Sequence, residues 1–207
     1  MRWWRGSVRS RREPRICSMA VRPITVIGHK ALHSPTKKVK EVTDEIRTLV
    51  ADMFETMEAA EGVGLAANQV GSRLRLFVYD CPISAEENAR GVVINPVLER
   101  LGTPGPLHEE NDGEGCLSVP GEWFPLARHP RARVTGTDLT GNEVVVEGEG
   151  LLARCLQHET DHLDGYLYVD RLTGPLKAEA REAVKDRGWA ADGILKWDPS
   201  TTEADEV

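Results

Sequence analysis

The apolar positions of this chain change period from segment to segment. In TDEIRTLVADMFETMEAAEG, residues Ile46, Leu49, Val50, Met53, Phe54 and Met57 recur at i, i+3, i+4 spacing, which predicts an amphipathic helix. Thr43 is its candidate N-cap, Asp44 and Glu45 suit the first turn, and Gly62 can end it. VGLAANQVG follows, small and glycine-bounded. LRLFVY and VVINPVLE read as strands, and GTPGPLHEENDGEG as an acidic, turn-rich loop. ARVTGTDLTGNEVVVEG predicts a hairpin about Thr140, Gly141 and Asn142. GLLARCLQHETDHLDG predicts a second helix, with Leu152, Cys155, Leu156 and Leu163 apolar and Gly165 as its stop. PLKAEAREAVKDRG predicts a polar C-terminal helix, and PSTTEADEV an acidic tail. No repeat is present. Strands do not alternate regularly with helices, so the expected class is α+β rather than a doubly wound sheet.

Composition narrows this picture. A chain of 207 residues is long enough for one domain with a real core, and with 40% hydrophobic but only 5% aromatic residues that core must be mostly aliphatic. The net charge of -7 argues against direct DNA binding. No run approaches the ~18 apolar residues of a membrane span. Cys17, Cys81, Cys116 and Cys155 lack paired spacing, and no secretory segment precedes them, so a reducing compartment is expected. The opening MRWWRGSVRSRREPRICSMA is Arg-rich, with Glu13 its lone acid. Its alternatives are a targeting or nucleic-acid-binding arm and an upstream extension of the reading frame. Without apolar periodicity the extension is favoured, with Met19 as the natural start and residues 1–18 disordered.

The second helix carries the chemistry. His158 and His162 are one turn apart on one face, about 5–6 Å between Cβ atoms, so both imidazoles can reach one ion. Glu159 lies beside that ion in the H-E-x-x-H arrangement, where the acid handles the proton of a metal-activated water. Two surface histidines on an ordinary helix are the bland alternative, but the leucines make this a core helix whose polar groups need partners. Two histidines leave the site a ligand short. Downstream lie Asp164 and Asp170 but no further histidine. Upstream, Cys116 stands in EGCLSVP before an expected turn at Pro120–Gly121, and taken alone it reads as a small buried hydrophobe. Gln69, taken alone, reads as a polar residue bonding a nearby turn.

Together, GVGLAANQ (62–69), EGCLSVP (114–120) and HETDHLDG (158–165) match, in order and spacing, the three signature motifs of the peptide deformylases. The resemblance runs from about Val21 to Leu172; LLARCLQ and VPGEWFP look most like the actinobacterial branch. It implies a compact single domain of antiparallel and mixed sheets wrapped around the H-E-x-x-H helix. It divides the chain into an extension (1–18), a catalytic domain (19–174), a C-terminal helix (175–190) and the tail (191–207).

The implied activity is removal of formyl from the N-terminal formyl-methionine of nascent peptides in the bacterial cytoplasm, with release of formate. The resemblance makes Cys116 the third ligand beside His158 and His162. It also makes Glu159 the proton carrier, and gives the oxyanion the Gln69 amide and the Leu117 backbone N–H. One Fe(II) per chain is implied, replaceable by Zn(II), Ni(II) or Co(II). Main-chain groups around Val63, Gly64 and Gly115 would bind the peptide as an added strand, for which Gly62 and Gly64 give close approach. Glu61, Val63, Leu151, Arg154, Cys155 and His158 would line the methionine pocket, with Arg154, a departure from aliphatic relatives, reaching Glu61. Glu114 and Arg128 are an expected pair bracing the cysteine loop, with two unrelated surface charges as the even alternative. Trp123 and Phe124 either rim the cleft or pack the loop. His29, His33, His108 and His129 have no ligand spacing. Lys177, Arg181, Lys185 and Arg187 give the last helix a weak basic face, a candidate for ribosome docking near the exit tunnel. Glu179, Glu182 and Asp186 dilute it, so a solvated helix is expected. The rivals are an H-E-x-x-H zinc peptidase and an inactive, metal-stapled module. The first lacks its downstream ligand, and the second lacks the fourth ligand of a closed structural site.

Overall fold

A computed structural model describes residues 20–108, 112–189 and 196–201; the proposed extension at residues 1–18 and most of the tail lie outside them. The chain runs β1 (Ile24–Thr25), α1 (Asp44–Ala59), β2 (Gly64–Ala66), a 3-10 turn (Ala67–Val70), β3 (Leu76–Pro82), β4 (Asn88–Leu101), β5 (Gly113–Cys116), β6 (Val119–Pro125), β7 (Arg131–Thr137), β8 (Glu143–Glu149), α2 (Gly150–Asp164), α3 (Tyr168–Arg171), α4 (Gly174–Asp186) and β9 (Lys196–Trp197).

An antiparallel five-stranded sheet in the order β2-β3-β4-β7-β8 forms the body. β4 serves both halves because its register shifts between Ile94 and Val97, where Asn95 takes a positive φ of 54° and ties its side-chain amide to both backbone groups of Val39. α2 packs against β2, β3, β4, β7 and β8, so the sheet wraps the helix as expected. Leu152, Leu156 and Leu163 enter a core with Phe77, Val93 and Val134, each worth about 1.5–3 kcal/mol of burial. The helix ends at Gly165, left-handed at φ 86°, where any Cβ would press on the backbone of Ser34 at 3.0 Å. Its polar face is buried too, from Gln157 through His162.

The first helix and the Thr137–Glu143 hairpin form where the sequence puts them, although Thr43 makes no side-chain cap. Two expectations fail. Gly113–Gly115, read as loop, forms β5, and the turn falls at Leu117–Ser118 rather than Pro120–Gly121, which lie inside β6. Pro–Gly is turn chemistry in isolation. Here Gly121 uses its φ of 73° within the strand, against the Arg187 guanidinium. β5 and β6 form a separate two-stranded sheet, and β1 pairs β9 at Ile24↔Trp197, inside the stretch read as tail. Among the described residues no helix is long and apolar enough to cross a membrane.

Candidate metal centre

α2 and the β5–β6 hairpin meet at three donor atoms. Nε2 of His158 and Nε2 of His162 lie 3.1 Å apart, and Cys116 Sγ is 3.2 Å from the second. Among the described residues, Cys116, His158 and His162 are the group whose ligand atoms all lie within 4.8 Å of one another. Helical spacing presents the two imidazoles, and the end of β5 presents the sulfur.

Glu114 Oε1 accepts from His158 Nδ1 at 2.7 Å, which turns the Nε2 lone pair toward the other two donors. Burial works against charge on His158, yet the Cys116 sulfur and Glu114 outweigh it and hold the imidazole well above its ordinary value. Burial and the facing His158 keep His162 well below its own. Two imidazole nitrogens and a sulfur converging in a dry site call for positive charge. Two borderline nitrogens and one sulfur fit a divalent transition metal, and among the described residues no fourth protein ligand closes the set.

Behind the ligands lies an ion-pair network. Arg128 grips both oxygens of Glu114 at 2.6 and 2.9 Å and reaches Asp161 at 2.6 Å. Arg171 and Arg100 also reach Asp161, at 2.8 and 3.4 Å. Burial alone would raise Glu114, but bonds from Arg128 and His158 hold it far below the carboxylate range. Glu114 and Arg128 do pair, and the pair braces His158, a candidate ligand, as well as the loop. Arg154 departs from expectation: it bonds Glu114 at 3.1 Å, Asp112 at 3.0 Å and the Leu126 carbonyl at 2.8 Å, not Glu61. A half-buried guanidinium takes the carboxylates nearest its fork, and those sit at and just before β5.

Glu159 is 3% exposed, and burial pushes its carboxyl up to about 7. Its Oε2 has no partner among the described residues. Gly64 faces it: a Cβ there would lie 2.4 Å from Glu159 Oε1 and 2.7 Å from Cys155 Sγ. A Cβ on Gly62 would lie 2.9 Å from Leu117 Cδ1. Both glycines thus make room for the site's own side chains, a reason beyond the substrate approach read from sequence. Gln69, on the 3-10 turn, accepts from the Ala66 N–H through Oε1 at 2.8 Å. Its Nε2 donates to Ser118 Oγ at 3.2 Å and points at Cys116 Sγ, 3.8 Å away.

A cleft of about 460 Å³ opens over the centre. Glu61, Val63, Gly64, Gln69, Gly115, Cys116, Leu117, Leu151, Arg154, Cys155, His158 and Glu159 all line it, and His162 lies beneath at 1% exposure. Trp123 rims it, 71% exposed, whereas Phe124 is packed at 5%. Cys155 and Cys81 both donate to the Val63 carbonyl, at 3.5 and 3.4 Å. His129 bonds the Gly102 carbonyl at 2.8 Å, and His29 and His33 take nearby backbone N–H groups, so none of these joins the centre. The sequence reading missed Asp112, Asp161, Ser118, Asn68 and Trp197. Asn68 Nδ2 donates to the His162 carbonyl at 2.6 Å. For Asp112, Asp161 and Asn68 the available signal was an acid or amide inside or beside the motifs, and Ser118 sits inside EGCLSVP; Trp197 had no such signal.

A sequence model described as polypeptide deformylase matches residues 21–178. The chain is 52% identical over 190 residues to a peptide deformylase of Rhodococcus opacus, covering 89% of this chain and 96% of the relative. It is 54% identical over 189 residues to one of Mycobacterium ulcerans, covering 87% and 95%. Among solved structures it resembles peptide deformylase from Ehrlichia chaffeensis (TM-score 0.72, 34% identity, 85% of this chain and 99% of that one). It also resembles one from Synechococcus elongatus in complex with actinonin (TM-score 0.70, 40% identity, 81% and 88%).

Proposed function

The chain belongs to the polypeptide deformylase family, and we propose that it removes the formyl group from N-terminal formyl-methionine of new polypeptides at the Cys116–His158–His162 centre. The observation that carries this is the convergence of those three donors beside the buried Glu159. Cys116, His158 and His162 would hold one divalent ion, Fe(II) by the family resemblance and replaceable by Zn(II), Ni(II) or Co(II), which would supply Lewis-acid activation of a water and of the formyl carbonyl. One ion per chain suits one such centre.

Glu159 takes the proton of the attacking water and hands it to the leaving nitrogen. The water oxygen bonds to the formyl carbon, the C–N bond breaks, and formate and a free N-terminus result. Gln69 Nε2 and the Leu117 N–H are the donors for the developing oxyanion, where losing one costs about 3–4 kcal/mol. β2 is an edge strand of the sheet and, among the described residues, β5 pairs β6 alone, so an extended peptide can add between them. Its main-chain partners are Gly64, Val63 and Gly115. The methionine side chain enters among Val63, Leu151, Cys155 and the Arg154 stem, with Glu61 at the rim.

This substrate sets the work in the bacterial cytoplasm. Ribosome contact through α4 has less behind it: Lys177 donates to the Asp170 carbonyl and Lys185 pairs with Glu182, so part of the basic face is engaged locally.

The test is anaerobic: metal content and formate release on the same sample, with a formyl-Met peptide and its unformylated twin. Formate from the first and no cleavage of either peptide bond is expected. Cleavage of the unformylated peptide would point instead to the H-E-x-x-H peptidase reading.

A further inference from the structure

The turn that carries the oxyanion donor has an awkward geometry. Cys116 pairs Val119 across β5–β6, leaving Leu117 and Ser118 as a two-residue loop. Two-residue hairpins favour primed turns, which need a positive φ at the first central position. Among the described non-glycine residues only Glu61 and Asn95 have one. The Leu117–Ser118 turn is therefore of a kind that splays its strands, and something outside the hairpin must hold it.

The holders come from the two ends of the described chain. The Trp197 indole Nε1–H, on β9, donates to the Leu117 carbonyl at 2.8 Å. The Ile27 N–H, just past β1, donates to the Ser118 carbonyl at 2.8 Å. The peptide group joining Leu117 to Ser118 is thus gripped at both ends, since its own N–H, on Ser118, donates to Cys116 Sγ at 3.4 Å. Trp197 is 6% exposed, lines the cleft, and pairs Ile24 across β1–β9. It lies outside residues 21–178, the span matched by the family.

We propose that Trp197 is a positioning residue for deformylation: by holding the Leu117 carbonyl, its indole N–H fixes the Leu117–Ser118 peptide plane, which aims the Ser118 N–H at the Cys116 sulfur and, across the Leu117 Cα, restrains the adjoining peptide whose Leu117 N–H faces the oxyanion. The role rests on the deformylase reading. It makes the segment after α4 part of the working site. β1 supplies the second holder, so the β1–β9 pair acts as one clamp on the turn.

The experiment is Trp197→Phe in the full chain, which removes the donor and keeps most of the ring packing. Four quantities are measured on Fe(II)-loaded protein: kcat, KM, metal content and melting temperature. Amide hydrogen exchange at Ser118 is followed alongside. Losing a buried hydrogen bond that orients a donor should lower kcat by about tenfold. KM should stay within about twofold of wild type, metal and melting temperature should hold, and Ser118 exchange should speed up while β3 is unchanged. A kcat within about twofold of wild type, with Ser118 exchange unaltered, overturns the proposal. So does a parallel loss of kcat, metal and melting temperature, which would make Trp197 a general staple. Wild-type protein that holds metal and releases no formate would sink the deformylase reading instead, and the exchange result would still report on the clamp.

Discussion

His158 and His162 reach the centre from one helix, while Cys116 comes from a hairpin 46 positions before His162. The helix side is placed by periodicity. Its two imidazoles share a face because of the 3.6-residue turn, and leucines on the other face lock it into the sheet. The hairpin side has no such regularity. Charge and side-chain hydrogen bonds place it: Glu114 to Arg128, Arg154 and His158, and Trp197 to the Leu117 carbonyl. The difference teaches where function and stability separate. A residue on the helix can lose its chemistry while the metal stays. On the hairpin side the ion-paired residues, Glu114 first, should disturb metal, stability and chemistry together, whereas the Trp197 hydrogen bond should touch chemistry alone.

The sharpest break in that comparison is Glu159→Ala. With Glu159 as proton carrier and not ligand, as proposed, formate release should fall by roughly 10²–10⁴ while metal content stays; loss of metal in step with activity would make it a ligand. Next is Cys116→Ser, set against Cys155→Ser after identical dialysis. A neutral hydroxyl replaces a thiolate poorly, so the first variant should lose metal affinity by more than the ~10–100-fold typical of supporting residues. The second should keep its ion, and the reverse pattern would refute the ligand assignment. Glu114→Gln should weaken metal binding by about 10–100-fold. It should also destabilise the fold by about 3 kcal/mol, because Arg128 is left buried with half its partners; unchanged denaturant midpoints would show that the network is ornamental. Gly64→Ala tests the helix side from across the cleft. The added methyl must displace Glu159 or Cys155, and kcat should fall about tenfold at constant metal content. The smallest effect belongs to Arg133→Gln, on the exposed β7–β8 face, where Arg133 pairs with Glu147. Its melting temperature and activity should match wild type.

The same division explains what could be read in advance. The H-E-x-x-H helix and the Thr137–Glu143 hairpin were legible because spacing and turn residues are local properties. Cys116 was not legible from its own surroundings, and only resemblance across three motifs lifted it above a buried hydrophobe. β5 read as loop because its neighbours are acids and glycines, yet Asp112 and Glu114 are paired with arginines from far along the chain. Arg154 was assigned the wrong carboxylate for the same reason: its partners lie 40 and 42 positions away, beyond any local rule. Trp197 sat in a stretch whose composition says tail, and a single aromatic carries no period.

The sulfurs have a further consequence, for labelling. Cys81 is 0% exposed and Cys155 4%, and both hand their hydrogens to the Val63 carbonyl. Its hydrogen bond with Cys81 and its burial push the Cys155 thiol well above its ordinary value, so it stays protonated and inert to alkylating reagents. Cys116 is half-buried at the cleft. An iodoacetamide adduct on the peptide containing Cys116, weighed by mass spectrometry, would then act as an occupancy gauge, absent where the ion sits and present where it has left.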